Sequence, residues 1–124
     1  MRTPLIIATS AFLIHAMTFP LQAQTAGAIN VSGDLLLVCQ AADNDSRWGG
    51  TAELECETYI MGFVGALEAT GFDEEAGICL PEENTADEVR WAFTRWVHAS
   101  FSKRKKLPAS EALLATLKEN FACQ

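Results

Sequence analysis

The chain has 124 residues, 49% of them hydrophobic, four cysteines and a formal net charge of −7. That length suits one domain, and the acidic balance argues against nucleic acid as a partner. Acidity instead favours solubility and steering toward a basic partner surface.

The N-terminus opens with the single positive charge of Arg2. Residues 5–19 are mostly apolar, with His15 their only titratable side chain; Pro20 breaks the run, and small residues follow at Ala23, Ala26 and Ala28. This order predicts a secretory signal peptide over residues 1–23, with cleavage after Ala23 or, in the pattern Ala26-Gly27-Ala28, after Ala28. The apolar run falls short of the roughly 20 residues a membrane-spanning helix needs, and no second long run follows. The expected mature chain, residues 24–124, is one exported soluble domain with no membrane contact after cleavage.

All four cysteines, Cys39, Cys56, Cys79 and Cys123, lie beyond that segment. An even count in an exported chain predicts two disulfides, which a marginal core of this size needs. Gaps of 17, 23 and 44 positions lack the close cysteine pairs of a zinc site, so no metal is expected. Charge is uneven along the chain. Asp34 to Glu88 carries fourteen acids and one base, Arg47, whereas Val89 to the end carries seven bases and two acids.

The first amphipathic segment covers residues 33–42, with Ser32 as N-cap, Asp34 near the positive helix end, and Leu35, Leu36, Val38 and Cys39 as its apolar stripe. Asp43-Asn44-Asp45-Ser46 and Gly49-Gly50 read as a loop. The second covers residues 51–70, where Cys56, Tyr59, Ile60, Phe63, Val64 and Leu67 recur at steps of three and four. Thr51 caps it, Glu53, Glu55 and Glu57 crowd its first turns, and Gly71 ends it. Gly62 and Gly65 weaken this helix by roughly 1 kcal/mol each, so close packing of a neighbouring helix is expected there, with a binding groove as the alternative.

The third segment covers residues 86–101, opened by the capping box Thr85-Ala86-Asp87-Glu88, with Val89, Phe93, Trp96 and Val97 facing inward. The fourth covers residues 108–121, with Pro108 at its first position and Leu113, Leu114, Leu117 and Phe121 as its apolar face. Between them lies the basic turn Lys103-Arg104-Lys105-Lys106. No segment alternates with period two. The expected fold is all-α: a compact four-helix domain with two disulfides.

Catalytic chemistry finds no foothold. The expected mature chain has one histidine, His98, and no free thiol to pair with it. Gly-x-Ser-x-Gly, phosphate-loop and dinucleotide patterns are absent, and no cofactor is implied. The acids Asp73, Glu74, Glu75, Glu82 and Glu83 fall in polar turns where solvation is their natural state. Asp43-Asn44-Asp45 begins like a calcium loop, but the twelfth position is Leu54 rather than Glu, which excludes that site. Binding chemistry is better supplied. Among Trp48, Trp91 and Trp96, Trp91 lies off the core stripe with Arg95 one turn on, and exposed Trp and Arg are the types enriched at interface hot spots.

These pieces have a recognisable order: Asp34-Leu35-Leu36 before Cys39; Cys56-x-x-Tyr59-Ile60-x-Gly62-Phe63 on a helix; Cys79-Leu80-Pro81 before a capped helix; Leu107-Pro108-Ala109 opening the last; and Phe121-Ala122-Cys123 closing it. The pattern resembles the Rap/Tai family of type VI secretion amidase immunity proteins over essentially the whole mature chain. Family members often carry Pro after the third helix and before the last Cys, where this chain has Phe101-Ser102 and Phe121-Ala122-Cys123. The resemblance implies a small periplasmic helical protein, often dimeric and not an enzyme, that binds and sterically blocks a peptidoglycan-cleaving amidase delivered by sister cells. The rival reading is a general helical envelope stress or chaperone-like protein with no amidase partner.

The helix order also suggests the cysteine pairing. Antiparallel neighbours joined by short loops bring Cys39 to Cys56 and Cys79 to Cys123, and the longer Cys79–Cys123 loop should then matter somewhat more to stability. The amidase resemblance, since a plug for a concave cleft must protrude, points to Lys103, Arg104, Lys105 and Lys106 as the partner-binding surface, with Trp91 and Arg95 as anchors; the alternative is a solvated turn with no partner.

Overall fold

The computed structural model describes residues 28–44 and 49–124. The expected signal peptide lies outside them, as do Arg47 and Trp48. Six helices form among the described residues: α1 (Ser32–Asn44), α2 (Gly49–Thr70), α3 (Phe72–Glu75), α4 (Thr85–Ala99), α5 (Phe101–Arg104) and α6 (Ala109–Asn120). Four of these are the expected amphipathic segments; α3 and α5 are single turns. Among the described residues the only β-type pairing is two isolated antiparallel bridges, Val31 with Pro108 and Ile78 with Ala122. The domain is all-α with two disulfides.

The apolar stripes read from sequence meet in one core. Leu35, Leu36 and Cys39 of α1 pack with Cys56, Ile60 and Val64 of α2, Val89, Phe93, Trp96 and Val97 of α4, and Leu113 and Leu117 of α6. Tyr59, Phe63, Leu67, Leu114 and Phe121 close its edges, partly exposed. α1 packs on α2, α4 and α6 together, and α2 also packs on α4.

Both disulfides form as the helix order predicts, Cys39–Cys56 and Cys79–Cys123. The first is wholly buried between α1 and α2. The second closes the C-terminus: Cys79 N–H donates to the Phe121 carbonyl at 2.7 Å and Cys123 N–H to that of Gly77 at 2.9 Å.

Several local expectations are corrected. α1 starts at Ser32, so Ser32 is no side-chain cap; the Asp34 carboxylate instead accepts from the Val31 and Asn30 N–H groups at 3.0 and 3.2 Å. Asn44 and Gly49-Gly50, read as loop, belong to α1 and α2. α2 therefore starts before Thr51, and Glu53, Glu55 and Glu57 lie beyond its first turn. Gly71 does end α2, in the left-handed conformation at φ 68°. Directly after it, Asp73-Glu74-Glu75, read as a polar turn, winds into α3, where acids suit the positive helix end.

Among the described residues Gly62 and Gly65 receive no neighbouring helix: both are exposed, and a Cβ on either would meet nothing within 4 Å. The capping box at α4 does not close. Thr85 Oγ1 donates instead to the Pro81 carbonyl at 2.6 Å, and Asn84 precedes the helix at φ 55°. Pro108 is extended (φ −49°, ψ 137°) because it bridges to Val31, so α6 starts at Ala109.

Arg90 is a core residue that hydrophobic patterning does not reveal. It is 8% exposed. It pairs with Asp87 on its own helix at 2.8 Å and with Asp43 of α1 at 3.2 Å, joining the end of α1 to the start of α4. Burying that guanidinium is tolerable only because two carboxylates answer it.

Candidate partner-binding site

The third expected helix breaks at Ser100 (φ −149°, ψ 54°), and the chain re-enters a single helical turn, α5, before Lys105 and Lys106. This places Lys103 and Arg104 on a helical turn, with Lys105 and Lys106 directly after it, rather than on a loose loop. Its end is fastened by α1. Ser32 N–H donates to the Leu107 carbonyl at 2.8 Å, Gly33 N–H to that of Lys105 at 3.0 Å, and the Ser32 hydroxyl to that of Arg104. The first N–H groups of a helix are left without partners inside it. Here those of α1 donate to carbonyls that follow α5, which fixes the basic segment against α1. Gly33 permits the approach: a Cβ there would stand 3.0 Å from the Lys105 carbonyl oxygen.

The four bases therefore differ in role. Arg104 turns inward, stacks on Trp96 at 3.8 Å and donates to the Trp96 carbonyl. It joins the core framework and presents little of its charge outward. Lys103 and Lys106 are exposed, and Lys105 is half-buried with its ammonium 4.8 Å from the centre of the Phe101 ring. Among the described residues no carboxylate lies within 4 Å of Lys103, Lys105 or Lys106; the ion pairs formed there both belong to Arg90.

Trp91, 52% exposed, and Arg95 occupy the solvent face of α4. With His98 they follow at steps of four and three and so share one face. His98 stacks on Phe101 with ring centres 5.8 Å apart, and its Nε2 lies 2.7 Å from the Gln40 amide nitrogen of α1. A continuous surface thus runs from Trp91 through Arg95 and His98 to Phe101 and the lysines.

Phe101 and Leu37 are surface features the sequence reading passed over. Leu37 is 69% exposed and Phe101 44%. For Leu37 the signal was present, since it falls on the opposite side of α1 from the stripe of Leu35, Val38 and Cys39. Among the described residues no group of three or more His, Cys, Asp or Glu side chains is placed to hold a metal ion, and no helix is long and apolar enough to cross a membrane.

A helical domain braced by two disulfides, presenting a rigidly backed cationic and aromatic face, has the architecture of a small binding domain. The chain belongs to the Rap1a immunity protein family, which it matches over residues 32–123. The match begins at the first residue of α1 and ends at the last cysteine, so it takes in every helix and both disulfides. No curated protein and no solved structure matches the chain. Membership of an immunity family implies that the domain acts by binding a cognate effector.

Proposed function

We propose that this protein is an exported, periplasmic immunity protein that binds a type VI-secreted peptidoglycan amidase and blocks its cleft sterically. The observation that carries the reading is the family match over the whole disulfide-braced domain. Export rests on the apolar segment at residues 5–19 and on two disulfides, which persist in oxidising compartments. Removal of residues 1–23 leaves the binding domain at residues 24–124. A second copy of the chain is a further partner, as the family resemblance implies.

The contact surface is the segment Lys103, Arg104, Lys105 and Lys106 with Trp91 and Arg95. Within it Lys103, Lys105 and Lys106 carry the charge outward, and Arg104 holds the segment in place through Trp96. A backbone-fastened segment suits a steric block because little ordering remains to be done on binding.

The test is to purify the oxidised protein and the wall-cutting amidase encoded beside it, and to follow peptidoglycan hydrolysis as the protein is added. Hydrolysis should stop near one equivalent. Full amidase activity in excess protein, or no amidase encoded nearby, overturns the reading.

A further inference from the structure

A groove of about 470 Å³ opens between α1 and the α5 segment. Its apolar lining comes from Val31, Leu36, Leu37 and Phe101, and Lys105 and Lys106 stand in the same wall. Two of the domain's few exposed large hydrophobics, Leu37 and Phe101, thus converge on one concavity. That volume falls in the range of side-chain and small-ligand pockets, where an apolar lining with a few charged groups sets orientation.

The electrostatics select the occupant. Asp34 also lines the groove, but its carboxylate is turned to the Asn30 and Val31 N–H groups. Among the described residues no carboxylate answers Lys105 or Lys106 within 4 Å. With Asp34 set against Lys105 and Lys106, the apolar groove keeps one net positive charge on a chain of net charge −7. An anionic lipid surface is disfavoured as its occupant, because fourteen acids between Asp34 and Glu88 would be repelled by it. A protein segment can offer one apolar side chain and one carboxylate without presenting a charged plane.

We infer that this groove receives an acidic apolar segment of the effector: a large apolar side chain seated between Leu37 and Phe101, followed by a carboxylate facing Lys106 and Lys105. The inference rests on the effector-binding reading above and adds the partner's chemistry. It also makes the contact two-sided, with the basic segment facing the effector and the effector returning a side chain.

The test is an amide-resolved NMR titration of the oxidised protein with three probes up to about 10 mM: acetyl-Leu-Phe-Glu-amide, acetyl-Leu-Phe-Lys-amide and octanoate. The acidic peptide should shift the amides of Leu37, Phe101 and Lys106 and bind at least tenfold more tightly than the lysine peptide. Leu37→Ser and Lys106→Glu, both at exposed positions, should each weaken it tenfold without altering the remaining spectrum. Equal binding of the two peptides, shifts elsewhere, no shifts, or tighter binding of octanoate overturns the proposal. The same variants in the amidase assay separate the two readings. Peptide binding as expected without any amidase inhibited defeats the effector reading and leaves the groove; inhibition untouched by Leu37→Ser, which lies outside the basic contact surface, defeats the groove and leaves the effector reading.

Discussion

The guanidinium of Arg104 lies 3.8 Å from the centre of the Trp96 ring and donates to the Trp96 backbone carbonyl, while the Trp96 indole N–H donates to Glu119 at 2.8 Å. One residue of a basic run is thereby built into the contact between α4, α5 and α6. Arg104→Ala should lower stability by about 1–2 kcal/mol, the combined loss of a desolvated cation–π contact and a charged hydrogen bond. Lys103→Ala should stay within about 0.5 kcal/mol. Arg104→Lys should recover little, since a lysine cannot stack a planar fork on the ring. Urea denaturation of the three variants checks the order.

That relationship shows where sequence reading reached its limit. The stripe Val89, Phe93, Trp96 and Val97 was legible because helical burial repeats every three to four positions, and all four are core. Trp96 and Arg104 are eight positions apart across a break at Ser100, where no periodicity applies. The lysines could be read as exposed from charge alone, but which base turned inward depended on a ring beneath it. The same limit hid the groove: Leu37 and Phe101 meet only because Ser32 and Gly33 bind the backbone of the α5 segment. Thr85-Ala86-Asp87-Glu88 had the letters of a capping box, yet the Pro81 carbonyl competed successfully for the threonine hydroxyl.

Glycine substitutions should separate in sign. Gly33→Ala forces a methyl to 3.0 Å from the Lys105 carbonyl oxygen, so either α1 or the α5 segment must move. A loss of about 1–3 kcal/mol is expected. At Gly62 and Gly65 an added Cβ meets open space on an exposed helical face. Alanine there should stabilise by about 0.5–1 kcal/mol each, from reduced freedom of the unfolded chain and better helix propensity. Thermal melts of the single variants give the three signs directly, and destabilisation by Gly62→Ala would show that the open face is in contact with something.

The two disulfides should not rank by loop length. Their sequence separations of 44 and 17 favour Cys79–Cys123 by only about 0.8 kcal/mol on the loop-entropy model. Cys39 and Cys56 are both fully buried, whereas Cys79 and Cys123 are exposed. Replacing the buried pair with alanine removes two sulfurs from the core, and the cavity left behind costs about 2 kcal/mol. Cys39→Ala with Cys56→Ala should therefore be the more destabilised double variant, and denaturant midpoints of the two variants decide it.

The effector surface should divide by kinetics. Lys103 and Lys106 are exposed charges with no carboxylate within 4 Å among the described residues, so they act on an approaching partner at range. Replacing both with Ser should slow association about tenfold at low salt and flatten its salt dependence, with little change in dissociation. Trp91 presents a half-exposed indole on the same face as Arg95. Its burial in the complex would act mainly on residence time, and Trp91→Ala should raise the dissociation rate tenfold or more. Arg104 is kept in every variant, because its loss would disturb the segment through Trp96 and mimic a binding defect. Surface plasmon resonance with the amidase immobilised, at three salt concentrations, resolves the two rates. Unchanged rates in the double-serine variant would move the contact away from the α5 segment, and the exposed carboxylates Glu74 and Glu75 beside Asp73 on α3 would be the next surface to replace.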